Sequence, residues 1–286
     1  MTGNIYIILP VYNRREITKR FVDCLKKQSY TNYHLILIDD GSTDGSSEMV
    51  KEHIRSLTVI RGNGNWWWGG SLQQGYLWLR AQNVSATDLV LIINNDTEFG
   101  PDFLATGSIL MQGQRNMLLL ATGFSKQNGN MVAAGVHVDW KKLSFNKAES
   151  SAEINCLSTR GLFLHVSDLF KIGGFYPRLL PHYLSDYEFT IRAFRKGMKL
   201  CTDSKLKLWL DEETTGHRQV SYKNFNEYLK TYYSMRSIFN PFQWTAFIAL
   251  ACPWPWNLIN GTRVWIHAIG TMSKACVIAL RNAVRK

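Results

Sequence analysis

Several things are missing from this sequence, and each absence removes a class of protein. No apolar run is long enough to cross a bilayer: the nearest, residues 244–256, covers 13 positions and is broken by Pro253 and Pro255. Cysteines are few, odd in number and scattered, at Cys24, Cys156, Cys201, Cys252 and Cys276. That pattern argues against a disulfide framework or a zinc site and for reduced thiols in a cytoplasmic protein. No leader-like segment precedes the first strand-like run, Ile5–Leu9. Internal repeats and Ser-, Pro- or Gln-rich tracts are lacking too, which argues against disorder. No Gly-x-Gly-x-x-Gly opens a helix after the first strand, and no Gly-x-x-x-x-Gly-Lys-Ser/Thr occurs. Gly62 and Gly64 begin the former spacing, but Trp67 stands where the third glycine would let backbone approach a pyrophosphate. A nicotinamide enzyme and a P-loop ATPase are therefore disfavoured, and a diphosphate bound here calls for a metal to hold it.

Acidic residues also run out. The 286-residue chain has a formal net charge of +11, and after Glu227 there is no Asp or Glu, while Lys230, Arg236, Arg263, Lys274, Arg281, Arg285 and Lys286 remain. Near the C-terminus Trp265, Ile269, Met272, Cys276, Leu280 and Ala283 recur every three or four positions, opposite His267, Thr271, Lys274, Arg281 and Arg285. This is the pattern of a basic amphipathic helix lying in a lipid headgroup layer. Residues 241–286 are accordingly expected to be a helical, membrane-associating appendage to a domain spanning 1–240. The excess charge sits on an aromatic, proline-interrupted segment rather than on a nucleic-acid reader, so no nucleic-acid partner is expected.

What is present is an alternation of short apolar runs with helical patterns. Ile5–Leu9, Leu35–Ile38, Leu57–Ile60 and Leu89–Ile93 read as buried strands; Glu16–Gln28, Ser46–His53, Ser71–Gln82 and Pro101–Met111 read as helices. Such alternation predicts an α/β fold with a mostly parallel central sheet, whose ligands bind beyond the carboxyl ends of its strands. Those ends carry Pro10-Val11-Tyr12-Asn13, Asp39-Asp40-Gly41-Ser42-Thr43-Asp44, the stretch from Arg61 to Asn65 followed by three tryptophans, and Asn94-Asn95-Asp96. Asp44 also suits a helix cap. Taken together, the carboxylates, amides and rings at one sheet edge predict a ligand site, because neighbouring carboxylates are costly without a cation or a donor-rich ligand.

These strings, with Asn94-Asn95-Asp96-Thr97 leading to Pro101-Asp102-Phe103-Leu104, then Gly173-Gly174-Phe175, Ser185-Asp186-Tyr187-Glu188-Phe189 with Arg192, and His217, resemble the family 2 glycosyltransferases over about residues 4–240. Among subgroups the wording is most similar to rhamnosyltransferase-like members that build bacterial surface polysaccharides such as O-antigen and capsule. The resemblance implies a nucleotide-sugar-binding glycosyltransferase A-type fold and an inverting hexosyltransferase. Such an enzyme moves a sugar from a dTDP- or UDP-sugar, dTDP-rhamnose among them, to a lipid-linked saccharide at the inner face of the cytoplasmic membrane.

The resemblance also implies residue roles. Asp40 would accept a hydrogen bond from a uracil or thymine imide, with Pro10 and Tyr12 lining base and ribose. Asn65, Gly69, Asn94 and Asn95 would border the donor, and one of Trp66, Trp67 and Trp68, with Trp68 the candidate, would stack on a sugar. Asp96 would hold Mg2+ or Mn2+, with His217 near the metal, and Asp186 would be the base that deprotonates the acceptor hydroxyl. Glu188 is expected to pair with Arg192 four residues later. The family's usual first aspartate is Asn94 here, which weakens the metal site. Two rival readings are a binding protein without catalysis and, less favoured for lack of a glycine- and arginine-rich phosphate loop, a nucleotidyltransferase.

Overall fold

The computed structural model describes residues 3–211 and 225–284. In chain order, β1 (Ile5–Val11), α1 (Arg15–Lys26), β2 (Tyr33–Asp39), α2 (Ser46–His53), β3 (Leu57–Arg61), α3 (Trp67–Ala81) and β4 (Leu89–Ile92) form the expected alternating half. Next come β5 (Thr97–Glu98), α4 (Phe103–Met111), β6 (Met117–Ser125), β7 (Met131–Ala133), β8 (Val136–Asp139) and β9 (Ser144–Lys147). The remainder is β10 (Leu162–His165), α5 (Val166–Ile172), α6 (Ser185–Arg195), β11 (Lys199–Leu210), α7 (Phe225–Tyr232), α8 (Pro241–Ala251) and α9 (Trp256–Val284).

The main sheet runs β3-β2-β1-β4-β10-β6-β11-β5, with β7 added beside β6. Its first four strands are parallel. Beyond them the expectation of a mostly parallel sheet needs correcting: β10 lies antiparallel to both β4 and β6, β11 is parallel to β6, and β5 is antiparallel to β11. The sheet is mixed because β10 reverses the chain direction in its middle.

The near-continuous apolar strands reflect burial on both faces. Ile5, Ile7, Leu9, Leu35, Leu37, Leu89 and Leu91 point into the layer with Phe21, Val22 and Met49 of α1 and α2. Ile8, Ile36, Ile38, Val90 and Ile92 point the other way, to Leu72 and Leu79 of α3, Leu169 of α5 and Phe189 of α6. Gly75 lets α3 lie close across β1, since a Cβ there would come within 2.8 Å of Ile8. With both faces consumed by core, only the strand ends are left to bear a site.

A third apolar cluster joins the β8–β9 hairpin (Val138, Phe145) and α6 (Ile191) to Phe247, Ile248 and Ala251 of α8. No described helix is long and apolar enough to cross a membrane. In α9 the expected lipid-facing stripe is divided. Trp265 packs edge-on against Phe242, with ring centroids 5.5 Å apart, and Met272 accepts the Tyr233 hydroxyl at 3.0 Å. Leu258, Ile259, Ile266 and Ile269 are the exposed ones. The expected stripe is split by its neighbours: Trp265 and Met272 are taken by α8 and the residue after α7, while Ile269 and Cys276 of the same stripe stay exposed. The side chains of Leu280 and Ala283 lie outside the described set.

Candidate active site

The first two strand ends are bound to each other. Asn13, in the left-handed region at φ 49°, accepts the Thr43 N–H at 2.8 Å through Oδ1, and its own N–H donates to Ser42 Oγ at 3.0 Å. Asp39 Oδ1 accepts Ser42 N–H at 2.8 Å, and Oδ2 accepts the Ser47 hydroxyl. Asp44 Oδ1 accepts the Ser46 N–H at 3.0 Å, at the start of α2. Pro10 is buried, whereas Tyr12 just beyond it is 49% exposed.

Asp40 is buried and does a job the sequence did not announce. Its Oδ1 accepts Gly64 N–H at 3.0 Å, and its Oδ2 accepts the N–H groups of Trp66 at 2.9 Å and Trp67 at 3.0 Å. Successive amides turned toward one anion form a nest, and the nest fixes the path of residues 62–67. A carboxylate has about four lone-pair positions, so a ligand N–H still has one to meet.

This path sorts the three tryptophans. Trp66 and Trp68 pack on the core layer that α3 covers. Trp67, at φ 56°, is a bulky residue in the left-handed region, a conformation that costs roughly 1–3 kcal/mol and concentrates at functional sites. Its ring lies 5.4 Å from that of His182 and 5.6 Å from the guanidinium of Arg236. The expectation for Trp68 is therefore corrected: Trp68 packs on the core layer, and Trp67, half-buried like its neighbours, is the one that stands outside that cluster beside His182 and Arg236. Gly69 is corrected too. It is buried beneath the segment before α6, donating its N–H to Pro181 O at 2.8 Å. Asn65, an exposed residue, donates its N–H to Asn63 Oδ1 at 3.2 Å.

In the turn after β4 the three polar residues differ in burial, Asn95 buried and Asn94 and Asp96 half-buried. Asn95 turns inward and donates Nδ2–H to Thr18 Oγ1 at 2.9 Å, so its expected place at the donor is corrected to a tie between β4 and α1. Asn94 Oδ1 and Asp96 Oδ1 are buried without a hydrogen-bond partner, and so are Thr159 Oγ1 and His182 Nδ1. Buried polar atoms are nearly always paired, so such orphans call for a ligand, an ion or water. Asp96 Oδ2 faces Arg14 Nη1 at 3.5 Å.

β10 completes the wall. Gly161 N–H donates to Ile92 O at 2.9 Å and Leu162 pairs with Ile92, so Thr159 and Arg160 run alongside the end of β4. Asp186 is recessed against them at the start of α6. Burial pushes its carboxyl pKa up, opposed by hydrogen bonds from the Tyr187 and Thr159 backbone and by the charge of Arg160. Oδ1 accepts Tyr187 N–H at 2.9 Å. Four residues earlier His182 is pushed down to about 4 by burial and by the Arg236 charge, and is neutral near pH 7. Glu188 makes the expected pair with Arg192, bidentate at 2.8 and 2.9 Å. Arg192 also donates to Ile172 O and Gly174 O, both at 2.7 Å, fastening the Gly173-Gly174 turn to α6. His217 lies outside the described residues.

The donors present fit a hard divalent cation in part. Two oxygens, Asn94 Oδ1 and Asp96 Oδ1, stand ready, and magnesium-like ions complete their shell with water and substrate phosphate. Among the described residues no group of three or more His, Cys, Asp or Glu side chains converges as a metal cage. Arg14, Thr159, Arg160, His182 and Arg236 escaped the sequence reading. Only His182 left a trace there, by preceding Asp186 at one helical turn's spacing.

The orphaned oxygens and the recessed carboxyl lie toward the carboxyl ends of the strands, where open α/β sheets bind their ligands. Residues 6–111, the segment that carries the four strand ends, match the family model described as Glycosyl transferase family 2. Over 210 residues the chain is 25% identical to the amylovoran biosynthesis glycosyltransferase AmsB of Erwinia amylovora, covering 68% of this chain. The likeness spans 64% of AmsB, a little under two thirds of that relative's length. Among solved structures, TarS 1–349 of S. aureus in complex with UDP-GlcNAc superposes with a TM-score of 0.59 at 15% identity, over 86% of this chain and 71% of that one. The mannosyltransferase PcManGT of Pyrobaculum calidifontis, with GDP-Man and Mn2+, gives 0.56 at 14% identity, over 99% and 81%. These two likenesses establish the glycosyltransferase A-like fold.

Proposed function

We propose that this chain is an inverting family 2 glycosyltransferase. It takes a sugar from a dTDP- or UDP-sugar, dTDP-rhamnose included, and passes it to a hydroxyl of a lipid-linked saccharide in the assembly of a bacterial surface polysaccharide such as O-antigen or capsule. What supports the reading is a set of orphaned polar atoms, Asn94 Oδ1, Asp96 Oδ1 and Thr159 Oγ1, and an Asp186 recessed beside Thr159 and Arg160, in a chain whose residues 6–111 match the family 2 model.

Asp40, Pro10 and Tyr12 receive the pyrimidine base and ribose, with Asn65 at the rim of the same loop. A divalent cation bound at Asp96 and Asn94, with His217 nearby, supplies charge neutralisation for the departing nucleoside diphosphate. Arg14 holds the second oxygen of Asp96 and keeps the first turned to the site. Asp186 accepts the proton of the acceptor hydroxyl as that oxygen attacks the anomeric carbon from the face opposite the diphosphate, which inverts the configuration. Its raised pKa makes it a stronger base than an ordinary aspartate while leaving it ionised above that pKa.

Residues 235–269 supply the membrane contact. Trp254 is 78% exposed, Leu258 67% and Ile266 66%, and no acidic residue follows Glu227 to repel an anionic lipid surface. The enzyme thus works peripherally at the cytoplasmic membrane.

Isothermal titration with UDP and dTDP, each with and without Mn2+, tests the donor site. Wild type should bind one of them with metal assistance, and Asp96→Ala should lose that assistance. Failure of both nucleotides to bind wild type would sink the proposal.

A further inference from the structure

Three distant segments meet close to the start of α6: Trp67 after β3, His182 before α6 and Arg236 between α7 and α8. Trp67 is the one of the three tryptophans outside the core cluster that α3 covers, and its ring lies 5.4 Å from that of His182 and 5.6 Å from the Arg236 guanidinium. Arg236 is exposed, and no ion pair to it is found among the described residues. His182 is neutral, with Nδ1 buried and unpartnered. Its carbonyl accepts the Ser185 hydroxyl at 3.1 Å, which ties it to the first residue of α6, next to Asp186. The cluster therefore gathers a half-buried aromatic ring, an imidazole nitrogen without a partner and a cation without an ion pair among the described residues.

We propose that Trp67, His182 and Arg236 form an acceptor-side subsite for a glycosyl phosphate, resting on the glycosyltransferase reading above. Trp67 meets the apolar face of the acceptor sugar, His182 Nδ1 meets one of its hydroxyls, and Arg236 meets the phosphate that joins sugar to carrier. Charge-assisted guanidinium–phosphate bonds suit this role. The donor diphosphate is a second source of such an anion, but in that reading Asn94 and Asp96 hold it on the β4 side of Asp186. The segment after α7 thereby belongs to the site as well as leading to the lipid-facing helices.

The test uses the full chain saturated with whichever of UDP or dTDP it binds, with Mn2+, and titrates it with N-acetylglucosamine 1-phosphate and, separately, inorganic phosphate. Wild type should bind the sugar phosphate more tightly than phosphate. Arg236→Ala should weaken the sugar phosphate at least tenfold and leave nucleotide affinity within twofold; Trp67→Ala should erase the preference for sugar phosphate over phosphate. Equal sugar-phosphate binding by wild type and Arg236→Ala, or no binding by wild type, would overturn the subsite. Loss of nucleotide affinity in Arg236→Ala would also overturn it, by assigning the arginine to the donor. If neither nucleotide binds, the glycosyltransferase reading itself fails, a result distinct from nucleotide binding without an acceptor subsite.

Discussion

The strand-end cleft and the C-terminal helices are opposites. Around the cleft every strand residue with an apolar side chain in β1, β2 and β4 is consumed by core apart from half-buried Tyr6 and Tyr33, while Asn94, Asp96, Thr159 and His182 each keep an unused hydrogen-bonding atom. Around α8 and α9 the polar groups are largely spoken for. Asn240 bonds Tyr233 O at 3.0 Å and caps Phe242, Asn260 donates to Trp140 O at 2.8 Å, and Arg263 donates to Lys141 O at 2.6 Å, leaving Gln243 Oε1 as the exception. There it is the apolar groups, Phe242, Trp254, Leu258, Ile266 and Ile269, that are unspent. One surface wants a polar partner and the other an apolar one, the division that the proposed transfer from a water-soluble donor to a lipid-borne acceptor would need.

The sharpest way to break this contrast is at Asp186. Asp186→Asn should lower turnover by roughly 10²–10⁴-fold while nucleotide binding by calorimetry is retained; equal loss of both would make the residue structural. In wild type the acid limb of kcat/KM should lie above the range of an ordinary aspartate, following the raised pKa.

Next in size is Arg192→Ala. It strands Glu188, whose side chain is 3% exposed, without its partner, and unpaired buried charges cost about 3–5 kcal/mol. A chemical denaturation midpoint that hardly moves would show that water reaches the pair.

The other surface is sharpened by Trp254→Ser with Ile266→Ser, both exposed. Cosedimentation with vesicles containing anionic phospholipid should fall by about tenfold or more, since each large apolar side chain contributes on the order of 1.5–3 kcal/mol when fully buried. Nucleotide affinity should not change. Undiminished sedimentation would assign the patch to something other than lipid.

The smallest effect concerns stability. Because the folded Asp186 carboxyl holds its proton more tightly than the unfolded one, its contribution turns unfavourable as pH rises past the unfolded pKa and stays so above the folded pKa. Asp186→Asn should therefore melt slightly higher than wild type near pH 7, and the gap should close under acid conditions where both are uncharged. A gap that widens on acidification would contradict the burial of that carboxyl.

Much of the cleft was legible in the residues alone, for identifiable reasons. Strands buried on both faces announce themselves as unbroken apolar runs, so β1, β2 and β4 and the polar residues at their carboxyl ends could be read directly, whereas β3, expected buried, is the half-buried edge strand of the sheet. The turn after β4 separates Asn95, tied to Thr18, from Asn94 and Asp96, a distinction that three adjacent polar residues conceal. Trp67 could not be told from Trp68, because the difference lies in one backbone angle imposed by the Asp40 nest. The partners of β10 and β11 were hidden, since strand pairing joins residues far apart and leaves no local trace. Periodicity marked α9 as amphipathic but could not tell which side α7 and α8 would cover.

The insertion of β10 between β4 and β6 also bears on how the chain is made. During synthesis β1–β4 can pair among themselves, but the outer edge of β4 stays open until residues 93–161 have been added and Leu162–His165 arrives. An apolar strand with unpaired amides is a template for other chains. The nascent polypeptide thus passes through a stage in which its parallel N-terminal strands are nearly complete and its own sheet is adhesive, and a chain truncated before residue 162 should aggregate rather than fold.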